Sequence, residues 1–187
     1  MDKRHIGPYQ RTRIVLCSAD ASPDSQAKEN GEAAYFFPGA KWVGAVRNAT
    51  RDLKCRFVIL TTAHGMVNPH DIISPYDLKA EDNKKKVSEI WRNTVPKILG
   101  SNNYDLLLFY AGGVPREPYM ELFLPILRDL KIDFIVFGWP MMRDSGKIRV
   151  MAEMLEEGSS TDELKSILKY PEKLTFVPWK DNHYSHV

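Results

Sequence analysis

Apolar residues fall into short dense runs, separated by longer stretches where they recur every three or four positions. The runs are Ile14-Val15-Leu16-Cys17, Phe57-Val58-Ile59-Leu60, Leu106-Leu107-Leu108-Phe109-Tyr110 and the segment from Ile132 to Gly138. Each is short and rich in β-branched, leucine and aromatic residues, which predicts a strand. The last two are apolar on both sides, as suits parallel strands covered by helices on two faces. The intervening stretches have helical period. After Pro38-Gly39, Trp42, Val46, Ala49 and Leu53 share one face; from near Ala80, Val87, Ile90, Trp91 and Ile98 form a stripe; from about Pro118, Tyr119, Leu122, Phe123, Ile126, Leu127 and Leu130 form a third. Pro96 is expected to kink or end the second helix, and Pro125 to bend the third.

Strand and helix alternate, which predicts an α/β fold: three layers, α/β/α, around a mainly parallel sheet of four to five strands. No internal repeat or linker divides the chain, so residues 1–187 read as one α/β domain, with 1–11 a loose arm and 141–187 a helical C-terminal extension. In that extension a helix is expected near 146–157. Ser160-Thr161-Asp162-Glu163 has the form of a capping box opening a short helix to Tyr170. Leu174 to Val177 reads as a further strand or an extended tail. The segment from Ala19 to Gly31 has neither period, and a loop of that length within a compact domain is often functional.

Open parallel sheets bind ligands beyond the carboxyl ends of their strands. Those ends carry Cys17-Ser18, Thr61 to Gly65, Tyr110 to Gly113 and Gly138-Trp139-Pro140. Thr61 to Asp77 is the richest in chemistry, with His64, Gly65, His70, Asp71, Tyr76 and Asp77. His64 can move a proton near neutral pH, and Asp77 can accept from a base or sugar. Tyr76 and Trp139 can stack on a planar base. Gly112-Gly113 can bring backbone amides to an anion, or serve as a tight turn needing positive φ. Cys17 is either a nucleophile or core packing, and Ser18 a ligand hydrogen-bonder. Asp77 and His64 are therefore the candidate catalytic pair; Cys17, Ser18, Gly65, Tyr76, Gly112, Gly113 and Trp139 are the candidate ligand-binding set. His64, His70, Asp71 and Asp77 are metal-ligand types, but their spacing matches no metal signature, and no metal or other cofactor is assigned.

Composition narrows the setting. The 187 residues are 43% hydrophobic and 27% charged, ordinary for a globular protein. A formal charge of +2 demands no nucleic-acid partner and leaves one open. No apolar stretch is long enough to span a bilayer, and Met1 to His5 lacks a signal-peptide core, so a cytoplasmic protein with no membrane partner is expected. Cys17 and Cys55 make no disulfide framework. Lys84-Lys85-Lys86 reads as a solvated helix face.

Several motifs resemble an uncharacterised α/β domain family of unknown function. They are Cys17-Ser18 at a strand end, Ala34-Tyr35-Phe36-Phe37, the turn Ala63-His64-Gly65-Met66-Val67, and Ile73-Ser74-Pro75-Tyr76-Asp77. The resemblance covers roughly residues 13–140. That family tends to carry a lysine soon after Cys-Ser; Asp20 and Ala21 stand there in this chain, and the next lysine is Lys28. The layout is more faintly similar to accessory domains of tRNA-guanine transglycosylase-like and archaeosine-synthesis proteins, which implies a nucleoside or modified-base ligand. Two readings follow. One is an enzyme acting on a nucleobase, nucleoside or nucleotide at an N-glycosidic bond, with a small-molecule nucleoside or nucleotide as its ligand. The other is a non-catalytic module binding nucleic acid or a partner.

Overall fold

The computed structural model describes residues 13–180, apart from positions 52, 54, 102, 113–115 and 138–145. The expected arm at 1–11, and Gly113 and Trp139, lie outside the described residues. Eight strands and five α-helices follow one another among those described: β1 Ile14–Ala19, β2 Gly31–Glu32, α1 Lys41–Arg51, β3 Arg56–Thr61, β4 Gly65–Val67, β5 Ile72–Ile73, α2 Lys84–Leu99, β6 Leu106–Tyr110, α3 Arg116–Asp129, β7 Asp133–Phe137, α4 Ile148–Glu156, α5 Thr161–Ser166 and β8 Thr175–Val177.

The main sheet has the order β4-β3-β1-β6-β7-β8. Its four central strands are parallel, and β4 and β8 add antiparallel edges. The fold is α/β and mainly parallel, as the alternation of elements predicts, with six strands rather than four to five. The main-sheet strand absent from the sequence reading is β4, where the expected His64-Gly65 turn leads straight back along β3; β2 and β5, also absent from it, pair antiparallel as a separate two-stranded sheet. Leu174 to Val177 resolves as a strand, β8.

Alternate positions of each central strand point to opposite faces. Leu16, Ile59, Leu108 and Ile135 pack in one core with Val43 and Val46 of α1 and Ile148, Met151 and Leu155 of α4. Val15, Cys17, Val58, Leu107, Phe109 and Phe134 pack in the other with Val87, Trp91 and Val95 of α2 and Phe123 of α3. The C-terminal segment thus completes one face of the sheet.

Two prolines lie inside helices, and Pro96 does not end its own. α2 runs on through Pro96 to Leu99, and α3 through Pro125 to Asp129. Their buried stripes hold both helices on the sheet, and that packing outweighs one missing N–H. α2 opens at Lys84 rather than near Ala80, because Asn83 caps it by accepting from the Lys86 amide at 3.1 Å. The capping box at Ser160 forms as its pattern predicts: Ser160 N–H donates to Glu163 and Glu163 N–H to the Ser160 hydroxyl. The helix it opens is shorter than expected, ending at Ser166.

The edge strand β4 is fastened to α2. Thr94 accepts from the Met66 amide at 3.1 Å, and Trp91 donates from its indole to the Thr61 carbonyl at 2.8 Å. Gly65 has φ of 74°, and a Cβ there would fall 2.0 Å from Thr94 Oγ1. Gly65→Ala is therefore expected to cost about 2 kcal/mol or more, from strain and from displacing Thr94. Urea unfolding of the variant beside the wild type measures it; an unchanged midpoint would refute this packing.

Candidate active site

β1 is central, and it and its neighbour β6 lead to helices on opposite faces of the sheet, α1 and α3. The crevice beyond the carboxyl end of β1 is the position where open α/β sheets hold ligands. A cavity of about 300 Å³ lies there, lined by residues that include Asp20, Gln26, Trp42, Thr62, Tyr76 and Tyr119. That volume is at the lower end of the range for small-molecule sites, enough for a base or nucleoside.

Asp20 is the first residue after β1 and is only 3% exposed. Apolar residues bury β1 on both faces, so the chain emerges with this carboxyl still inside the protein. Four donors surround it. Thr62, just past the end of β3, offers its amide at 2.9 Å and its hydroxyl at 3.1 Å to Oδ2. The Tyr76 hydroxyl donates to Oδ2 and the Tyr119 hydroxyl to Oδ1. No lysine or arginine is among these partners. Burial pushes the Asp20 carboxyl above the usual carboxylate range, and the bonds from Tyr119, Tyr76 and Thr62 pull part of the way back. The Thr62 hydroxyl is also bonded to the Leu78 carbonyl. It has one proton, and Leu78 can only accept. When that proton goes to Leu78, the Thr62–Asp20 contact needs a proton on Asp20, the direction in which burial also acts. Both phenols are held above their ordinary range, first by burial and then by the Asp20 charge, so they keep their protons.

The aromatic walls are fixed from behind. Tyr119 sits in the first turns of α3, with its ring stacked on Phe109 at 5.8 Å and tilted against Trp91 at 5.2 Å. The Trp42 indole N–H donates to the Ala19 carbonyl at 3.2 Å. Gly112 has φ of 57°, and a Cβ there would meet the indole at 2.6 Å. This glycine lets the indole reach the crevice; the space beside it is taken by Trp42 rather than left open for an anion. Gln26 accepts from the Tyr76 amide at 3.0 Å and donates to the Ala21 carbonyl at 3.2 Å. The long polar segment after β1 is thereby tied down and supplies Asp20, Ala21, Ser22, Pro23 and Gln26 to the lining.

Of the residues singled out in the sequence, Tyr76 lines the cavity. His64 stands behind it, with its ring edge-on to Tyr76 at 5.3 Å and Nε2 bonded to the Ser74 carbonyl at 2.9 Å. Asp77 is exposed and is not part of the lining, because the extended chain turns its two neighbours, Tyr76 and Leu78, inward. Cys17 and Ser18 are fully buried within β1, three and two residues before Asp20, where the lining of the crevice begins. Burial raises the Cys17 thiol well above its ordinary range, which opposes a thiolate nucleophile. The Ser18 hydroxyl is bonded to the Ala19 carbonyl at 2.9 Å. Gly65 serves the β4–α2 contact. Among the described residues, no group of three His, Cys, Asp or Glu side chains is placed to hold a metal ion. No helix among them is long and apolar enough to cross a membrane.

The sequence reading missed Asp20, Thr62, Trp42 and Tyr119 as a constellation. One signal was present: an acidic residue directly after a mostly apolar strand, with no partner nearby in sequence. Trp42 and Tyr119 gave none, since each continues an ordinary helical stripe.

Residues 14–136 match a family of unknown function, DUF6884, and the chain belongs to that family. No curated protein and no solved structure matches the chain.

The raised Asp20 carboxyl has a signed consequence for stability. Its folded form holds a proton to higher pH than the unfolded chain does, so stability falls as pH rises from about 4, the unfolded value, through the folded one. Asp20→Asn should remove that slope. Denaturant unfolding of both proteins across this pH range tests it; equal slopes would count against a raised Asp20.

Proposed function

We propose that this member of DUF6884 is an enzyme acting on a nucleobase, nucleoside or nucleotide, seated in the cavity beyond β1. One observation carries the reading: an aromatic-walled crevice of base-to-nucleoside size contains a buried carboxyl held by two phenols. Trp42, Tyr76 and Tyr119 supply flat apolar surface for a heterocycle. The base lies inside, and the sugar reaches the mouth, where the exposed Ser22, Lys79 and Glu81 stand.

The reaction that fits is cleavage of the N-glycosidic bond. The bond between the base nitrogen and the anomeric carbon breaks, water adds to that carbon, and the departing base gains a proton. Positive charge develops on the sugar as the bond breaks. The Glu81 carboxylate at the mouth favours it electrostatically. His64 acts through Tyr76, whose ring it abuts, and Asp77 takes no part, in contrast to the pairing expected from the sequence.

Incubation with a panel of ribo- and deoxyribonucleosides, followed by chromatography for released base, tests this. Release of free base by the wild type, reduced at least roughly tenfold in Tyr76→Phe, is expected. Absence of both turnover and thermal stabilisation by any base, nucleoside or nucleotide would overturn the reading. Salt-sensitive retention on single-stranded nucleic acid, without turnover, would mark a binding module instead.

A further inference from the structure

The direction of the hydrogen bonds around the cavity constrains its ligand more tightly than its shape does. Apart from one Gln26 amide proton, the interior side-chain donors are spent within the protein, the Thr62 hydroxyl on Leu78 or Asp20. The Trp42 indole N–H goes to the Ala19 carbonyl, the Thr62 amide to Asp20, and the Tyr76 and Tyr119 hydroxyls to the two oxygens of the same carboxyl. A phenol that donates inward turns its remaining lone pair outward. The Thr61 and Thr62 hydroxyls beside Tyr76 give their protons to Gly65 and to Leu78 or Asp20, so both phenol oxygens keep lone pairs free to accept, backed by the acidic group that takes their protons. Gln26 keeps one amide proton beyond its bond to Ala21 and is held beside Tyr76. The other hydroxyl and ammonium donors in the lining, on Ser22 and Lys79, belong to exposed residues at the mouth.

Resting on the nucleobase reading above, we propose that this cavity selects a heterocycle whose edge carries adjacent hydrogen-bond donors beside one carbonyl. That is the edge formed by the ring N–H, the amino group and the oxygen of guanine. The edge of adenine places an unprotonated ring nitrogen where the cavity also offers a lone pair. Asp20 is then a positioning residue. It lines the cavity with its oxygens engaged by Thr62, Tyr76 and Tyr119, and it fixes which way the phenols point. Tyr76 and Tyr119 are the specificity-determining contacts. A site built from acceptors discriminates strongly, because a mismatched ligand leaves buried lone pairs facing each other.

Calorimetric titration of the full chain with guanosine, inosine and adenosine, and with benzamidine and benzoate as donor-only and acceptor-only planar probes, tests the proposal. Guanosine should bind at least about tenfold more tightly than adenosine, with inosine between them. Tyr119→Phe and, independently, Tyr76→Phe should each narrow that ratio. Asp20→Asn should narrow it too, because an amide can donate to one phenol and release that phenol's proton into the cavity. This last effect separates orientation of the phenols from simple loss of the fold, which lowers all affinities alike. Adenosine binding as tightly as guanosine would overturn the donor-edge proposal and leave the nucleobase reading standing. Binding of benzamidine but of no nucleoside would overturn the nucleobase reading and support an acceptor-lined site. Binding of benzoate in preference to benzamidine, or of none of the five, would overturn the proposal outright.

Discussion

A buried carboxyl group with no cation among its described hydrogen-bond partners organises this protein's C-terminal strand face. Taking such a group out of water costs several kcal/mol. Hydrogen bonds to a charged group return about 1.5–3 kcal/mol each, so the donors around Asp20 bring the burial close to break-even. Those donors come from far apart in the chain. Thr62 follows β3, Tyr76 belongs to the segment before α2, and Tyr119 lies in α3. One acceptor thereby draws together the end of the central strand, its neighbour, a surface-crossing segment and a helix from the opposite layer.

The consequences run outward from that point. The segment Ser74 to Leu78 has little regular structure, yet it is held at each of its inward contacts. His64 bonds the Ser74 carbonyl, Gln26 accepts from the Tyr76 amide, and Thr62 bonds the Leu78 carbonyl. Gly112 brings the Trp42 indole to the opposite wall. The result is a cavity whose walls are preset before any ligand arrives, the condition under which fixed dipoles are most useful to binding and catalysis. The same arrangement explains why Asp77 and Cys17, although close in sequence to lining residues, stay out of the cavity. In extended chain, alternate residues face opposite ways, and a shift of one position reverses inside and outside.

The position just after the first strand is the one the structure makes central. It holds Asp20, a short acidic side chain that remains below the surface and needs donors around it. Tyr76 and Tyr119 meet that need, and both lie in the stretch matched by the family.

Much of the scaffold is decided locally. Strands β1, β3, β6 and β7 are dense apolar runs, and their double-sided burial requires helices on two faces. The capping box at Ser160 is complete within four residues. Such features depend on neighbours in the chain, so the sequence alone determines them. The helix limits at Asn83 and beyond Pro96, the edge strand at Gly65, and above all the grouping of Asp20, Trp42, Thr62, Tyr76 and Tyr119 depend on partners tens of residues away. A tyrosine on a helical stripe reads as core whether its hydroxyl meets a carboxyl or not. Only the superposition of strand ends, set by the order of the sheet, brings that hydroxyl to Asp20 and turns two core residues and a loop tyrosine into a site.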